Sequence, residues 1–323
     1  MKTLLAVLAL SALALAQLQP SCSQGLPGLT PYLTQHFQNW LKNNGYSSYD
    51  FVRSDLPGGS FGGKQDDNDG PINNPIIFIH GNSDQAIGNG TTLASWQTGF
   101  RDLIQYLISK GYKESELYIT TWGPANPNLA SQQAHTCKYV TTLRKFVEAV
   151  IAYTGAKKIN VIAHSMGVTL ARKVLQGGSM TDSTGSCQIG DPLTNYVDTF
   201  VALAGATWGL QTCQFSFELP TCGKSNGFFP GTSAGTNGHP TGLSTYLSDI
   251  NFSGVKEASY IYTLWNYPFD SIIGMETFYG HNTSEIIGQT ATKVYNGVQW
   301  THFDIRDATC DTVLKAIQTH TLN

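Results

Sequence analysis

Residues Lys157–Lys173 read KKINVIAHSMGVTLARK. The apolar run Ile159, Val161, Ile162 and Ala163 has the length of a buried strand. Beyond it, Val168, Leu170, Ala171, Val174 and Leu175 fall at helical spacing. Between the two lies Ala163-His164-Ser165-Met166-Gly167. A serine on a sharp strand-to-helix turn, flanked by small residues, presents its hydroxyl as a nucleophile elbow. The small residues are required because the turn is strained and the helix starts close against the strand. Ser165 is therefore the candidate nucleophile.

Sequence pattern alone would choose other serines. Ser60 (Gly58–Gly62), Ser225 (Gly223–Gly227) and Ser233 (Gly231–Gly235) match G-x-S-x-G fully, whereas Ser165 has alanine in the first position. Context reverses that order. Ser60 follows Leu56-Pro57 and leads into a polar loop, and Ser225 and Ser233 lie in a long aperiodic segment. Only Ser165 has a strand before it and a helix after it.

Strand and helix patterns alternate outward from the elbow. Pro75–His80 (PIIFIH), Leu117–Trp122, Tyr196–Ala206, Ser259–Trp265 and Thr292–Val298 read as strands. Leu29–Asn44, Leu93–Leu107, Val140–Ile151 and Ala308–Thr319 read as helices. This alternation predicts an α/β fold, a mostly parallel central sheet flanked by helices on both faces, with the elbow strand central. Leu56–Asn74 reads as a Gly-, Asp- and Asn-rich loop without a core pattern, and Gly177–Asn195 as a polar excursion. Thr207–Asn251 is the longest stretch without clear periodicity. It follows the carboxyl end of a strand, where such sheets bind ligands, and reads as site cover and candidate lid or as a passive insertion.

A serine nucleophile needs a base, and the base needs an orienting acid. In this kind of fold the chain order is serine, acid, histidine. His302 follows the last expected strand, where a loop can carry it over the elbow. His281 adjoins a sequon, His239 comes early in the order, and His320 lies almost at the end of the sequence. Asp270 follows the strand before that and sits beside Pro268 and Phe269, whose bulk limits water around it. Asp249 and Asp198 are the rival acids, while Asp304 and Asp307 suit a cap or ion pair in the closing segment. The strand ending in His80-Gly81-Asn82 offers the Asn82 backbone N–H as an oxyanion donor. His80 and His164 read as structural.

At these residues the chain resembles the class 2 secreted lipases, relatives of the small bacterial triacylglycerol lipases. The shared features are Pro75–Asn82 (PIIFIHGN), alanine before His-Ser-Met-Gly, the acid after a late strand, and Thr301-His302-Phe303 before the last helix. The resemblance spans about Pro75 to Leu322. It implies an α/β-hydrolase fold and a carboxylic-ester substrate. It also implies Ser165, Asp270 and His302 as triad, with the amides of Asn82 and Met166 as oxyanion hole. Asn82 stands where bacterial relatives often carry an apolar residue. No cofactor and no metal are expected. A phospholipase, a thioesterase or a catalytically silent lipid-binding protein would use the same fold, and fold does not choose among them.

The remaining features concern location and partners. Met1–Ala16 (MKTLLAVLALSALALA) has a positive start, an apolar centre and a small-residue end, the pattern of a cleaved signal peptide. It is shorter than the about 20 residues of a spanning helix. The expected organisation is a leader over 1–16, an N-terminal helix and Gly-rich loop over 17–74, and a hydrolase domain over 75–323 with its Cys-rich insertion at about 207–251. Six cysteines suggest disulfides in a secreted chain, with Cys213 and Cys222 the best local pair. Sequons at Asn89, Asn251 and Asn282 agree with secretion. Charged residues are 13% and the formal net charge is −3, without a basic stripe, so nucleic acid is not an expected partner. A lipid or small ester is, with transient contact to a lipid interface.

Overall fold

The computed structural model describes residues 21–88, 92–273 and 277–323. The leader over 1–16 and the sequon at Asn89 lie outside the described residues. In chain order the elements are β1 (Tyr32–Leu33), α1 (Gln35–Asn43), β2 (Ser60–Gly62), β3 (Ile76–Ile79), α2 (Arg101–Ser109), β4 (Leu117–Thr120), α3 (Cys137–Thr154), β5 (Ile159–His164) and α4 (Met166–Gln176). There follow β6 (Gly178–Asp182), β7 (Gly185–Gly190), β8 (Val197–Leu203), α5 (Thr245–Phe252) and β9 (Tyr260–Asn266). The chain closes with β10 (Thr277–Phe278), β11 (His281–Asn282), β12 (Ala291–Tyr295), α6 (Asp304–Asp307) and α7 (Cys310–Thr319).

Eight strands form one sheet in the order β1-β2-β4-β3-β5-β8-β9-β12. Every neighbouring pair is parallel except β2 and β4. The elbow strand β5 is central, between β3 and β8. Its neighbours are apolar runs without polar alternation because both faces of the sheet are covered. In β3, Ile77 and Ile79 pack with α1, α3 and α4, while Ile76 and Phe78 pack with α2 and α7 on the other face. Successive side chains of a strand point to opposite faces, so four consecutive apolar residues serve two cores.

Several local expectations change. The Leu56–Asn74 stretch, read as a loop, contains β2. No apolar run marks β2, because its place is defined by close backbone approach: a Cβ on Gly62 would lie 1.7 Å from the Leu117 carbonyl oxygen. Strands β1 and β2 also place two pieces of the chain before residue 75 in the same sheet as the strands beyond it. The helix read over Leu93–Leu107 begins only at Arg101, after Gly99 with φ +54°. Leu93 is exposed, and Trp96 stacks on Phe303 instead, ring centroids 5.0 Å apart. The N-terminal helix starts late as well, at Gln35, where the Thr34 hydroxyl accepts from the Phe37 N–H. The polar excursion is the hairpin β6–β7, tied to the start of α3 by the Cys137–Cys187 disulfide. Cys213 pairs with Cys222 as expected, and Cys22 pairs with Cys310. The segment Thr207–Asn251 is organised by short 3-10 turns and the start of α5.

Candidate active site

Ser165 sits between β5 and α4 with φ 54° and ψ −129°. That backbone is strained for a residue with a side chain, and such strain persists only where the surroundings over-determine it. Here they do. The Ser165 N–H donates to the Leu203 carbonyl of β8 at 2.9 Å. A Cβ on Gly167 would stand 2.3 Å from the Ile79 carbonyl and 2.4 Å from that of His80, so only glycine lets α4 start against β3. Gly81 is tight for the same reason, since its Cβ would lie 3.0 Å from that of Ser165. The loop after β3 therefore lies directly against the elbow.

His302 and Asp270 meet in a buried pair, Nδ1 to Oδ2 at 2.8 Å. Two loops carry them, one after β9 and one after β12, and both strands end on the same side of the sheet as β5. Asp270 is held by its own turn: Oδ1 accepts from the N–H groups of Ile272 at 2.9 Å and Ile273 at 2.8 Å. Burial alone would raise the Asp270 pKa. The opposing charge and hydrogen bond of His302 and the two N–H donors outweigh it and bring it below the ordinary carboxylate value. The carboxylate thus stays ionised and fixes the ring so that Nε2 is left for chemistry.

Two further groups hold the His302 segment. The His164 Nε2–H donates to the His302 carbonyl at 3.0 Å. Its burial, together with the neighbouring His302, pushes its pKa well below the ordinary histidine value, so the ring is neutral. His164 is thus more than packing: it ties the elbow strand to the histidine loop. Arg306, fully buried in α6, pairs with Asp84 and with Asp307 and donates to the Thr98 hydroxyl at 2.5 Å. Asp84 in turn accepts from the backbone N–H groups of Gln85 and Gly99. One ion pair therefore links the His302 segment to the loop after β3.

That loop is rigid from its first residue. His80 Nδ1–H donates to the Gly81 carbonyl at 2.8 Å, and His80 Nε2 accepts from the Trp122 N–H at 3.1 Å. Burial pushes the His80 pKa down to about 3, so it serves as a neutral strut. Asn82 spends its side-chain amide on the Ala130 carbonyl and accepts from the Ser83 hydroxyl. Asn82 lines both cavities that Ser165 lines, and Met166 opens α4 directly after Ser165.

Two cavities meet at Ser165. One, of about 250 Å³, includes His164, His302, Trp96 and Phe303. The other, of about 290 Å³, includes Met166, Ala206, Leu210 and Phe228. Asn82, Ala130, Ser165 and Ile272 belong to both. Ser165 and His302 share the first without a hydrogen bond between them. In unliganded hydrolases this contact is often long and tightens with substrate. A larger cavity, of about 450 Å³, lies apart among Tyr49, Arg53, Trp122 and Tyr139 and includes neither Ser165 nor His302.

The rival residues are occupied elsewhere. The Ser60 hydroxyl donates to the Val52 carbonyl inside the sheet at 2.6 Å. Ser225 and Ser233 are exposed in the insertion. Asp249 pairs with Lys173, and Asp198 with His320. His281 stacks on Trp208 and His239 on Phe252. Asp304 caps its own turn by accepting from Thr301. The sequence reading missed the tethers His164 and Arg306–Asp84 and the lining residues Ala130 and Ile272. The one signal in the sequence that points toward them is Arg306 standing between Asp304 and Asp307. Among the described residues no group of three or more His, Cys, Asp or Glu side chains could hold a metal ion.

A family model described as lipase (class 2) matches residues 73–315 of this chain. Solved structures also match. Aspergillus fumigatus lipase B is 12% identical with a TM-score of 0.48, the match covering 83% of this chain and 58% of that one. The mature form of Bacillus licheniformis lipase BlEst2 is 15% identical with a TM-score of 0.48, covering 82% and 99%. The propeptide form of BlEst2 is 13% identical with a TM-score of 0.47, covering 79% and 52%. This chain thus spans little more than half the length of the first and third.

Proposed function

As the chain belongs to the class 2 lipase family, we propose that it is a secreted lipase or carboxylesterase acting on acyl esters by a serine nucleophile. The observation that carries this reading is Ser165 on a strained strand-to-helix turn, in one cavity with His302, whose far nitrogen is bonded to the buried Asp270. His302 Nε2 takes the Ser165 proton as the hydroxyl oxygen attacks the ester carbonyl. Asp270 keeps the ring oriented and stabilises the imidazolium that forms. The carbonyl oxygen, now negative, turns toward the backbone N–H groups of Asn82 and Met166. His302 then returns the proton to the departing alcohol. Water, activated by the same histidine, releases the acid from Ser165.

The secreted location rests on the leader pattern and on all six cysteines standing in disulfides. The organisation that goes with it is a removed leader over 1–16, an N-terminal segment over 17–74 and a hydrolase domain over 75–323 with its insertion at 207–251. Of the sequons, Asn251 is unsuited to carry a glycan, since its buried amide donates to the Thr207 carbonyl and accepts from Arg172. Among the described residues no helix is long and apolar enough to cross a membrane. Contact with a lipid surface would instead use exposed apolar side chains at the site: Leu129 beside Ala130, Phe269 beside Asp270, and Ile272 itself.

The test is hydrolysis of acyl esters by the purified secreted protein beside Ser165→Ala. Activity should fall by about 10⁶-fold, as when a serine nucleophile is removed from a comparable triad. Hydrolysis that survives this substitution would reject the assignment.

A further inference from the structure

We propose that the alcohol and acyl halves of the substrate occupy the two cavities separately, and that Phe228 of the cysteine-rich insertion limits the acyl chain to short and medium lengths. The inference rests on the roles given above to Ser165 and His302. It begins from proton transfer. His302 must protonate the leaving alcohol, so that oxygen has to lie on the histidine side of Ser165. His302 lines only the 250 Å³ cavity. The alcohol therefore leaves through the space walled by Trp96 and Phe303. The acyl group remains bonded to Ser165 Oγ and must point away from the base. Met166, whose N–H would face the carbonyl oxygen, lines only the 290 Å³ cavity. The acyl chain accordingly enters that second space.

Apolar side chains make up most of the acyl cavity's lining. Ala206, Phe228 and Ile273 are buried in its walls, while Leu210 is partly exposed and Ile272 exposed. Its volume falls just below the roughly 300–1,000 Å³ of ordinary ligand pockets. Phe228 is not free to swing aside. Its N–H donates to the Thr221 carbonyl at 2.8 Å, and its own carbonyl accepts from Leu210 at 2.9 Å. The His135 ring meets its ring edge-on, centroids 4.9 Å apart. His135 is itself bound to Thr169 of the elbow helix at 2.6 Å and to the Asn226 carbonyl at 2.6 Å. The Cys213–Cys222 disulfide closes the same segment. The insertion thus contributes a held wall of this cavity, anchored through His135 to the helix that follows the nucleophile.

The experiment compares kcat/KM for 4-nitrophenyl butanoate, octanoate and hexadecanoate in one detergent dispersion. The wild-type protein is set beside Phe228→Ala and Ala206→Val. Wild type should favour the two shorter esters over hexadecanoate by about tenfold or more. Phe228→Ala should raise the hexadecanoate-to-butanoate ratio by about tenfold, and Ala206→Val should lower the octanoate-to-butanoate ratio. A general folding defect cannot move the ratios in opposite directions, and Ala206→Val alone carries the test if Phe228→Ala does not fold. A wild-type preference for hexadecanoate, or ratios unchanged in the variants that fold, overturns the proposal while leaving the nucleophile assignment intact. Ester hydrolysis that survives Ser165→Ala would strike that assignment, and this inference with it.

Discussion

Two histidine–aspartate pairs stand at opposite ends of the same parallel sheet. His302 and Asp270 meet at 2.8 Å beyond the carboxyl ends of β12 and β9. His320 and Asp198 meet at 2.9 Å by the amino ends of β8 and β9, where the His320 ring stacks on Tyr260. The bond lengths are nearly equal, so the contact itself does not separate the two. Environment does. Asp270 is buried and accepts two backbone N–H groups, whereas the side chains of His320 and Asp198 keep 33% and 20% of their surface. Parallel sheets gather their loops and ligands at the carboxyl ends of the strands. His302 of the first pair therefore lines a cavity with Ser165, whereas the second pair ties the residue after α7 to the start of β8.

The largest effect that could break this comparison is on catalysis. Asp270→Asn keeps the shape but favours the wrong tautomer of His302, and kcat should fall by about 10³–10⁴-fold. Asp198→Asn should leave kcat within about twofold. Steady-state kinetics on one soluble ester checks both, and comparable losses would mean that position in the sheet is not what separates the pairs.

Stability sharpens the same contrast. Arg306→Met leaves Asp84 and Asp307 without their buried partner, and should cost about 3–5 kcal/mol in urea unfolding. His320→Ala removes an exposed partner and should cost less than about 1 kcal/mol. An Arg306 variant as stable as His320→Ala would show that the tether between the β3 loop and the His302 segment is not needed.

A third effect is on pH. His164, His80 and His135 are buried, and burial lowers the pKa of each, to about 3 for His80 and about 4 for His135. The unfolded chain binds protons on these rings below pH 6.5 while the folded chain does not. Stability should therefore fall as pH drops from about 6.5 toward 4, by up to about 1.4 kcal/mol per pH unit for each ring. Asp270 adds a second, lower window. Its folded pKa is depressed, so its contribution is present above 3.8 and is lost as pH falls below that value. Urea unfolding at stepped pH checks the sign, and a stability that rises on acidification between 6.5 and 4 would contradict it.

The central part of the site was legible because its constraints are local. A buried strand, a small-residue turn and a helix are all visible within Lys157–Lys173, and each later partner follows an apolar strand. Strand β2 was not legible, because Gly62 earns its place by backbone approach to Leu117 and leaves no apolar signature. The helix expected from Leu93 failed because Trp96 spends its apolar face on Phe303, more than 200 residues away, and Gly99 turns the chain first. Asp84 and Arg306 are 222 residues apart, and no periodicity links them. His164 looked like packing because its neighbour carries the motif. Its partner is a carbonyl, which no side-chain pattern reveals.

The most direct measurement is mass-spectrometric mapping of a fluorophosphonate adduct on the native protein. A single adduct on the peptide bearing Ser165, lost in Ser165→Ala, is the predicted result. An adduct on Ser60, Ser225 or Ser233, or ester hydrolysis by protein that takes no label, would contradict the account.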